Sequence, residues 1–202
     1  MNLFDVYNVF DVTPVKAKGC HIWDDEGQEY LDLYGGHAVI SVGHSHPEYV
    51  AALTEQLNKI GFYSNSVQNP MQEELAKKIG EAAGLEDWSL FLINSGAEAN
   101  ENALKLASFH PGKDRVVAFR HSFHGRTSGA VAVTDNPNII SPFNSVHKVS
   151  FCDLNDIEGV EKEVSAGDVA AVIIEGIQGC GGINIPDRDF MLQLSDICRK
   201  YG

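Results

Sequence analysis

Residues 90–107, LFLINSGAEANENALKLA, read as a strand, a turn and a helix in succession. Leu90, Phe91, Leu92 and Ile93 form a short apolar run suited to a buried strand. Asn94-Ser95-Gly96 is the turn, and from Ala97 onward Ala, Glu, Asn, Lys and Leu favour a helix. Ser95 with Glu98 three residues later fits a capping box. Ala103, Leu104 and Ala107 then share one face. The first turn of such a helix has backbone N–H groups with no intrahelical partner, at the positive end of the peptide dipoles. Gly96 carries no side chain to keep an anion away, and Ser95 adds a hydroxyl donor. The unit therefore reads as a phosphate cradle. Its spacing alone is equally that of an ordinary capped helix with a glycine in its turn.

Working outward, Val116–Phe119 and Val146–Val149 read as strands, and Asp156–Val164 as a helix. Val169–Ile174 is the clearest buried strand, and Asp187–Tyr201 is the last helix. Val131–Val133 fits either a helix or a strand. On the N-terminal side, Pro47 opens a helix with Val50, Leu53, Leu57 and Ile60 on its inward face. Pro70 opens another, with Leu75, Ile79 and Ala82 inward and Gly84 as C-cap. Residues 13–34 read as a small β element around the turn Asp24-Asp25-Glu26-Gly27. Strands alternating with helices predict a largely parallel, three-layer α/β sheet. Ligands of such sheets sit beyond the carboxyl ends of the strands. Residues 95–97, 121–127 and 175–182 all follow strands and are expected at that edge. An alternating sheet calls for a further strand after the last helix, so the chain reads as cut within a domain.

Composition narrows the function. The chain has 202 residues, a formal net charge of −13 and 44% hydrophobic residues, as a globular α/β protein would. No basic cluster points to nucleic acid or an anionic membrane surface. Cys20, Cys152, Cys180 and Cys198 form no CxxC pair, so reduced thiols in a cytosolic protein are expected and no metal site. The N-terminus lacks the basic and apolar regions of a signal peptide, and no apolar run spans a membrane. Residues 35–46, GGHAVISVGHSH, read as a loop whose His37, His44 and His46 make hydrogen bonds.

Two further stretches carry chemistry. Phe123-His124-Gly125-Arg126 offers an aromatic face for a flat heterocycle and a guanidinium that can hold a carboxylate. A buried Phe beside a solvated Arg explains the same residues as well. Glu175 ends an apolar strand and opens the glycine-rich loop GIQGCGG, residues 176–182. That loop does not follow the dinucleotide fingerprint, and neither a Walker A sequence nor a G-x-S-x-G elbow occurs.

These residues carry a resemblance. NSGAEANE at 94–101 resembles the signature of class III, fold-type I, pyridoxal-phosphate aminotransferases. FHGRT at 123–127 is similar to the same motif in that family, and IEGIQG at 174–179 resembles its VEPIQGEGG stretch. Trp23-Asp24, Tyr30-Leu31-Asp32 and Gly43-His44-Ser45-His46-Pro47 match as well, so the likeness runs along essentially the whole chain. The best match within the family is the acetylornithine, or N-acylornithine, branch.

The resemblance implies the three-layer α/β/α fold of fold-type I, incomplete on its C-terminal side. Residues 1–46 would belong to the small domain and 47–202 to the first part of the large cofactor domain. It implies transfer of the δ-amino group of an N-acylornithine (acetyl or succinyl) to 2-oxoglutarate in arginine biosynthesis, by a cytoplasmic homodimer. By resemblance, Ser95, Gly96 and Ala97 bind the phosphate of pyridoxal 5′-phosphate, and Phe123 stacks on its ring. His124 and Glu175 lie near that ring, and Arg126 grips the substrate α-carboxylate. The Schiff-base lysine is expected beyond Gly202, since no lysine of this chain has the right context. Two departures stand out: Cys180 replaces a common Glu, and Gly176 a common Pro. The Glu pairs in the family with a distant arginine to gate the carboxylate site, an ion pair a neutral thiol cannot make. Two alternatives remain. One is another class III ω-aminotransferase, acting on ornithine or 4-aminobutyrate. The other is a non-catalytic phosphate- or cofactor-binding fragment.

Overall fold

The structure is a computed structural model that describes residues 1–4, 6, 8–110 and 112–202. The chain divides into two compact units, residues 1–88 and 89–202.

In the first unit, β1 (Pro14–Lys18), β2 (His21–Asp24) and β3 (Glu29–Leu31) form an antiparallel sheet in that order. Asp24 organises the β2–β3 turn. Its Oδ1 accepts from the Gln28 N–H at 2.8 Å and its Oδ2 from the Tyr30 hydroxyl at 2.8 Å. A distorted helical turn, α1 (Gly35–Ala38), follows, with Gly36 and His37 at positive φ. The loop histidines are hydrogen-bonded as expected in two cases. His37 Nδ1 lies 2.6 Å from the Tyr34 hydroxyl, and His44 Nε2 lies 2.8 Å from Asp32 Oδ2.

The two predicted helices follow as α2 (Pro47–Lys59) and α3 (Pro70–Ala83). The Asn69 side chain caps α3, and Gly84 ends it in the left-handed region. Their inward faces differ from expectation: Val50, Leu53, Leu57, Ile60, Leu75 and Ile79 are exposed. An apolar stripe is buried only where another element lies across it. Among the described residues of this unit, nothing covers these stripes.

In the second unit, α4 (Gly96–Phe109), β4 (Arg115–Phe119), α5 (Ser128–Ala132), β5 (Lys148–Cys152), α6 (Ile157–Val164), β6 (Val169–Val172) and α7 (Arg188–Tyr201) follow one another. The sheet is parallel with order β5-β4-β6. β4 is central, opposite β5 from Arg115↔Lys148 to Phe119↔Cys152. β5 starts two residues later than its apolar run indicated, because residues 142–146 form a turn. The ambiguous 131–133 segment is the buried end of α5 and its cap.

The expected strand at 90–93 is not formed. Those residues have no ladder partner among the described residues, and Phe91 is 67% exposed. A strand exists only by pairing, so an apolar run without a neighbour stays irregular.

Strand alternation places Val117 and Phe119 on one face, where they join Cys152, Val160, Val164, Phe190, Leu194 and Ile197 beneath α6 and α7. Phe190 meets Phe119 edge to face at 5.8 Å. Val116 faces the opposite side, where it lines a cavity with Leu104 of α4 and Gly129 of α5. Helices thus cover both faces of the sheet, and the loops after β4, β5 and β6 share one edge.

Candidate functional site

The α4 start forms as its sequence dictates. Ser95 is extended, and its Oγ accepts from the Glu98 N–H at 3.2 Å. The Glu98 carboxylate reaches back to the Asn94 N–H at 2.8 Å, one residue earlier than an ideal capping box. The Gly96 and Ala97 N–H groups precede the first intrahelical bond and have no acceptor among the described residues. A Cβ on Gly96 would meet nothing within 4 Å. An open, positive, donor-rich helix start is what a phosphate group needs.

The loop after β4 is pressed onto that helix start. Gly125 has φ +131°, and a Cβ there would lie 2.6 Å from Ala97 Cβ. Asn100 Nδ2 donates to the His124 carbonyl at 2.7 Å. The Thr127 hydroxyl donates to Glu101 Oε2 at 2.7 Å. The motifs at 94–101 and 123–127 are therefore one interlocked unit. The resemblance assigned no role to Asn100, Glu101 or Thr127. Their signal was their place inside the matched motifs, but their partners are 24 to 26 residues away.

The loop after β6 joins from the other side. Glu175 Oε2 accepts from the Phe123 N–H at 3.0 Å, and its Oε1 from the Gly179 N–H at 3.4 Å. A Cβ on Gly181 would overlap the His121 carbonyl at 2.4 Å, so a glycine is required there. Gln178 is 1% exposed and donates to the Arg120 carbonyl at 2.8 Å. Sequence reasoning singled out neither Gln178 nor Thr134, which receives the His124 N–H at 2.9 Å.

The expected site residues thus converge in one unit. Ser95, Gly96 and Ala97 form the helix start, and Ala97 touches the loop carrying Phe123, His124 and Arg126. Glu175 holds the backbone of Phe123. Arg126 is exposed, as is Cys180. His124 is the chemically unusual member. It is 6% exposed, and its Nε2 has no hydrogen-bond partner among the described residues. Burial pushes its imidazole below the ordinary value, against the opposing field of Glu175. The nitrogen is enclosed by protein, so the ring packs behind the site rather than facing into it.

Comparison with known proteins adds to this geometry. The family described as aminotransferase class-III matches residues 5–202. The acetylornithine aminotransferase of Halalkalibacterium halodurans is 40% identical over 100% of this chain and 52% of its own length. That of Methanopyrus kandleri is 40% identical over 98% of this chain and 51% of its own. The crystal structure of ornithine aminotransferase from Toxoplasma gondii ME49 superposes with a TM-score of 0.89 at 28% identity, covering 98% of this chain and 49% of that one. A second structure of the Toxoplasma gondii enzyme (TM-score 0.87, 28% identity, the same coverage) is described as having partial occupancy of PLP at its active site. The chain spans about half the length of the curated relatives it matches.

Proposed function

The chain belongs to the class-III aminotransferase family, and from that premise we propose that it forms the N-terminal half of a pyridoxal-phosphate-dependent N-acylornithine aminotransferase. The complete enzyme transfers the δ-amino group of an N-acyl-L-ornithine to 2-oxoglutarate in the cytoplasm, as a homodimer and as a step of arginine biosynthesis. Residues 1–46 belong to its small domain and 47–202 to its large domain. The Schiff-base lysine comes from the part of the enzyme outside these residues. The observation that carries the reading is the convergence of the 94–101, 123–127 and 174–179 motifs on one open helix start.

Pyridoxal phosphate, when bound, supplies the electron sink that makes amino transfer feasible. The chain's own residues do the rest. Ser95 Oγ and the N–H groups of Gly96 and Ala97 bind the phosphate through dipole and hydrogen bonds. Phe123 offers its face to the pyridine ring, and Glu175 fixes the backbone of Phe123. His124 stays uncharged and lies near the ring. Arg126 takes the α-carboxylate through paired N–H donors. Cys180 provides no carboxylate to compete for a cation in that site.

The test is a donor panel on the complete enzyme with 2-oxoglutarate as acceptor: N-acetylornithine, N-succinylornithine, ornithine and 4-aminobutyrate. The reading expects the highest kcat/KM with an N-acylornithine. Preference for free ornithine or 4-aminobutyrate replaces it with the other class III activity. Borohydride reduction of the same enzyme should leave one phosphopyridoxyl group per chain, and no stoichiometric adduct leaves the chain as a non-catalytic relative.

A further inference from the structure

We propose that Glu101 is a positioning residue for Arg126, holding the backbone on which that guanidinium is carried. The inference rests on the reading of Arg126 as the carboxylate grip. Thr127, the residue after Arg126, is the N-cap of α5, yet its side chain makes no capping bond to its own helix. Its hydroxyl turns to Glu101 Oε2 at 2.7 Å. The same carboxylate accepts from the Gly129 N–H at 2.8 Å and the Ala130 N–H at 3.1 Å. Thus α4 supplies the cap of α5 across a gap of 26 residues in sequence.

The seat is built to fit. A Cβ on Gly129 would lie 3.1 Å from a Glu101 carboxylate oxygen, so a larger side chain would press on it. Burial raises the Glu101 pKa, but the Thr127 hydroxyl, the two N–H groups and the nearby His147 outweigh it, so the net direction is down. On the other side of Arg126, Asn100 ties down the His124 carbonyl, and Gly125 lies against Ala97. The backbone of Arg126 is therefore bracketed from both sides by α4, and Glu101 is the charged member of the bracket. A guanidinium–carboxylate pair is directional, and a displacement of about 1 Å costs up to about 100-fold in rate.

The experiment uses the complete, cofactor-loaded enzyme and the variants Glu101→Ala, Glu101→Gln, Thr127→Val and Thr127→Ser. The readouts are KM and kcat for N-acetylornithine and 2-oxoglutarate, cofactor content per chain, and the single-turnover rate with n-butylamine, which has no carboxylate. Glu101→Ala and Thr127→Val should raise KM for both carboxylate substrates about tenfold, leaving cofactor content and the n-butylamine rate within about twofold. Glu101→Gln keeps one carbonyl acceptor and Thr127→Ser keeps the hydroxyl, so each should recover part of the loss. An unchanged KM, or parallel loss with n-butylamine, overturns the proposal. If Glu101→Ala does not fold, the Thr127 pair decides. If the wild-type enzyme prefers another carboxylate-bearing donor, the acylornithine reading fails, and the same comparison with that donor still decides the role of Glu101.

Discussion

A side chain on Gly125 would place its Cβ 2.6 Å from the Cβ and 2.9 Å from the Cα of Ala97. The loop that carries Phe123, His124 and Arg126 is therefore seated against the first turn of α4 with no spare volume. The contact joins residues 28 apart in sequence and turns their two motifs into one surface.

Gly125→Ala should destabilise the complete enzyme by about 1–3 kcal/mol, through overpacking and an unfavourable positive φ. A lowered thermal midpoint checks it. Adding Ala97→Gly should recover part of the loss, because it removes one of the two overlapping atoms. No recovery would put the strain in the backbone of residue 125 or in the remaining overlap with Ala97 Cα.

Ser95→Ala removes the acceptor for the Glu98 N–H. The lost cap is worth about 1 kcal/mol, so amide exchange at the start of α4 should quicken about fivefold. Hydrogen exchange with peptide-level resolution over residues 94–101 measures this directly. Cofactor affinity should weaken in the same variant, because Ser95 is proposed as a phosphate donor. Unchanged affinity would leave it a helix cap only.

Arg126→Ala should weaken both carboxylate substrates by about 2 kcal/mol, the scale of a lost charged hydrogen bond. Steady-state kinetics on the complete enzyme read the effect as a rise in KM. Identical kinetics would remove Arg126 from the substrate site.

His124 brings a pH dependence of known sign. Burial depresses its folded pKa below the ordinary 6.5, so between the folded and unfolded values the unfolded chain binds the extra proton. Its contribution to stability is whole above that ordinary value and is lost as the pH falls toward the folded pKa. The thermal midpoint should therefore drop between about pH 7.5 and pH 5.5, and drop less in His124→Gln. An equal drop in both proteins would assign the acid sensitivity elsewhere.

How much of this was legible beforehand depends on the range of each interaction. The capping box at Ser95, the proline starts at Pro47 and Pro70, the Gly84 stop and the parallel strands around Val117 and Val172 all appear where local pattern places them. Each is decided within a turn or by a single apolar run, so residue type and spacing suffice. The motifs at 94–101, 123–127 and 174–179 were equally plain as strings of residues.

Tertiary structure decided everything that needed a partner. Among the described residues, the run 90–93 has strand composition and no ladder neighbour, and the stripes of α2 and α3 have the right period and lie exposed. Glu101 looked like any helix glutamate until the fold brought Thr127 and the start of α5 to its carboxylate. Nothing in the sequence marked the His124 ring as buried with its Nε2 unpartnered among the described residues. The physical reason is the same throughout. Helix propensity and capping are satisfied by nearby backbone, so a sequence settles them by itself. Strand pairing, apolar cover and the pairing of buried polar groups depend on atoms far along the chain, and only folding sets their distances.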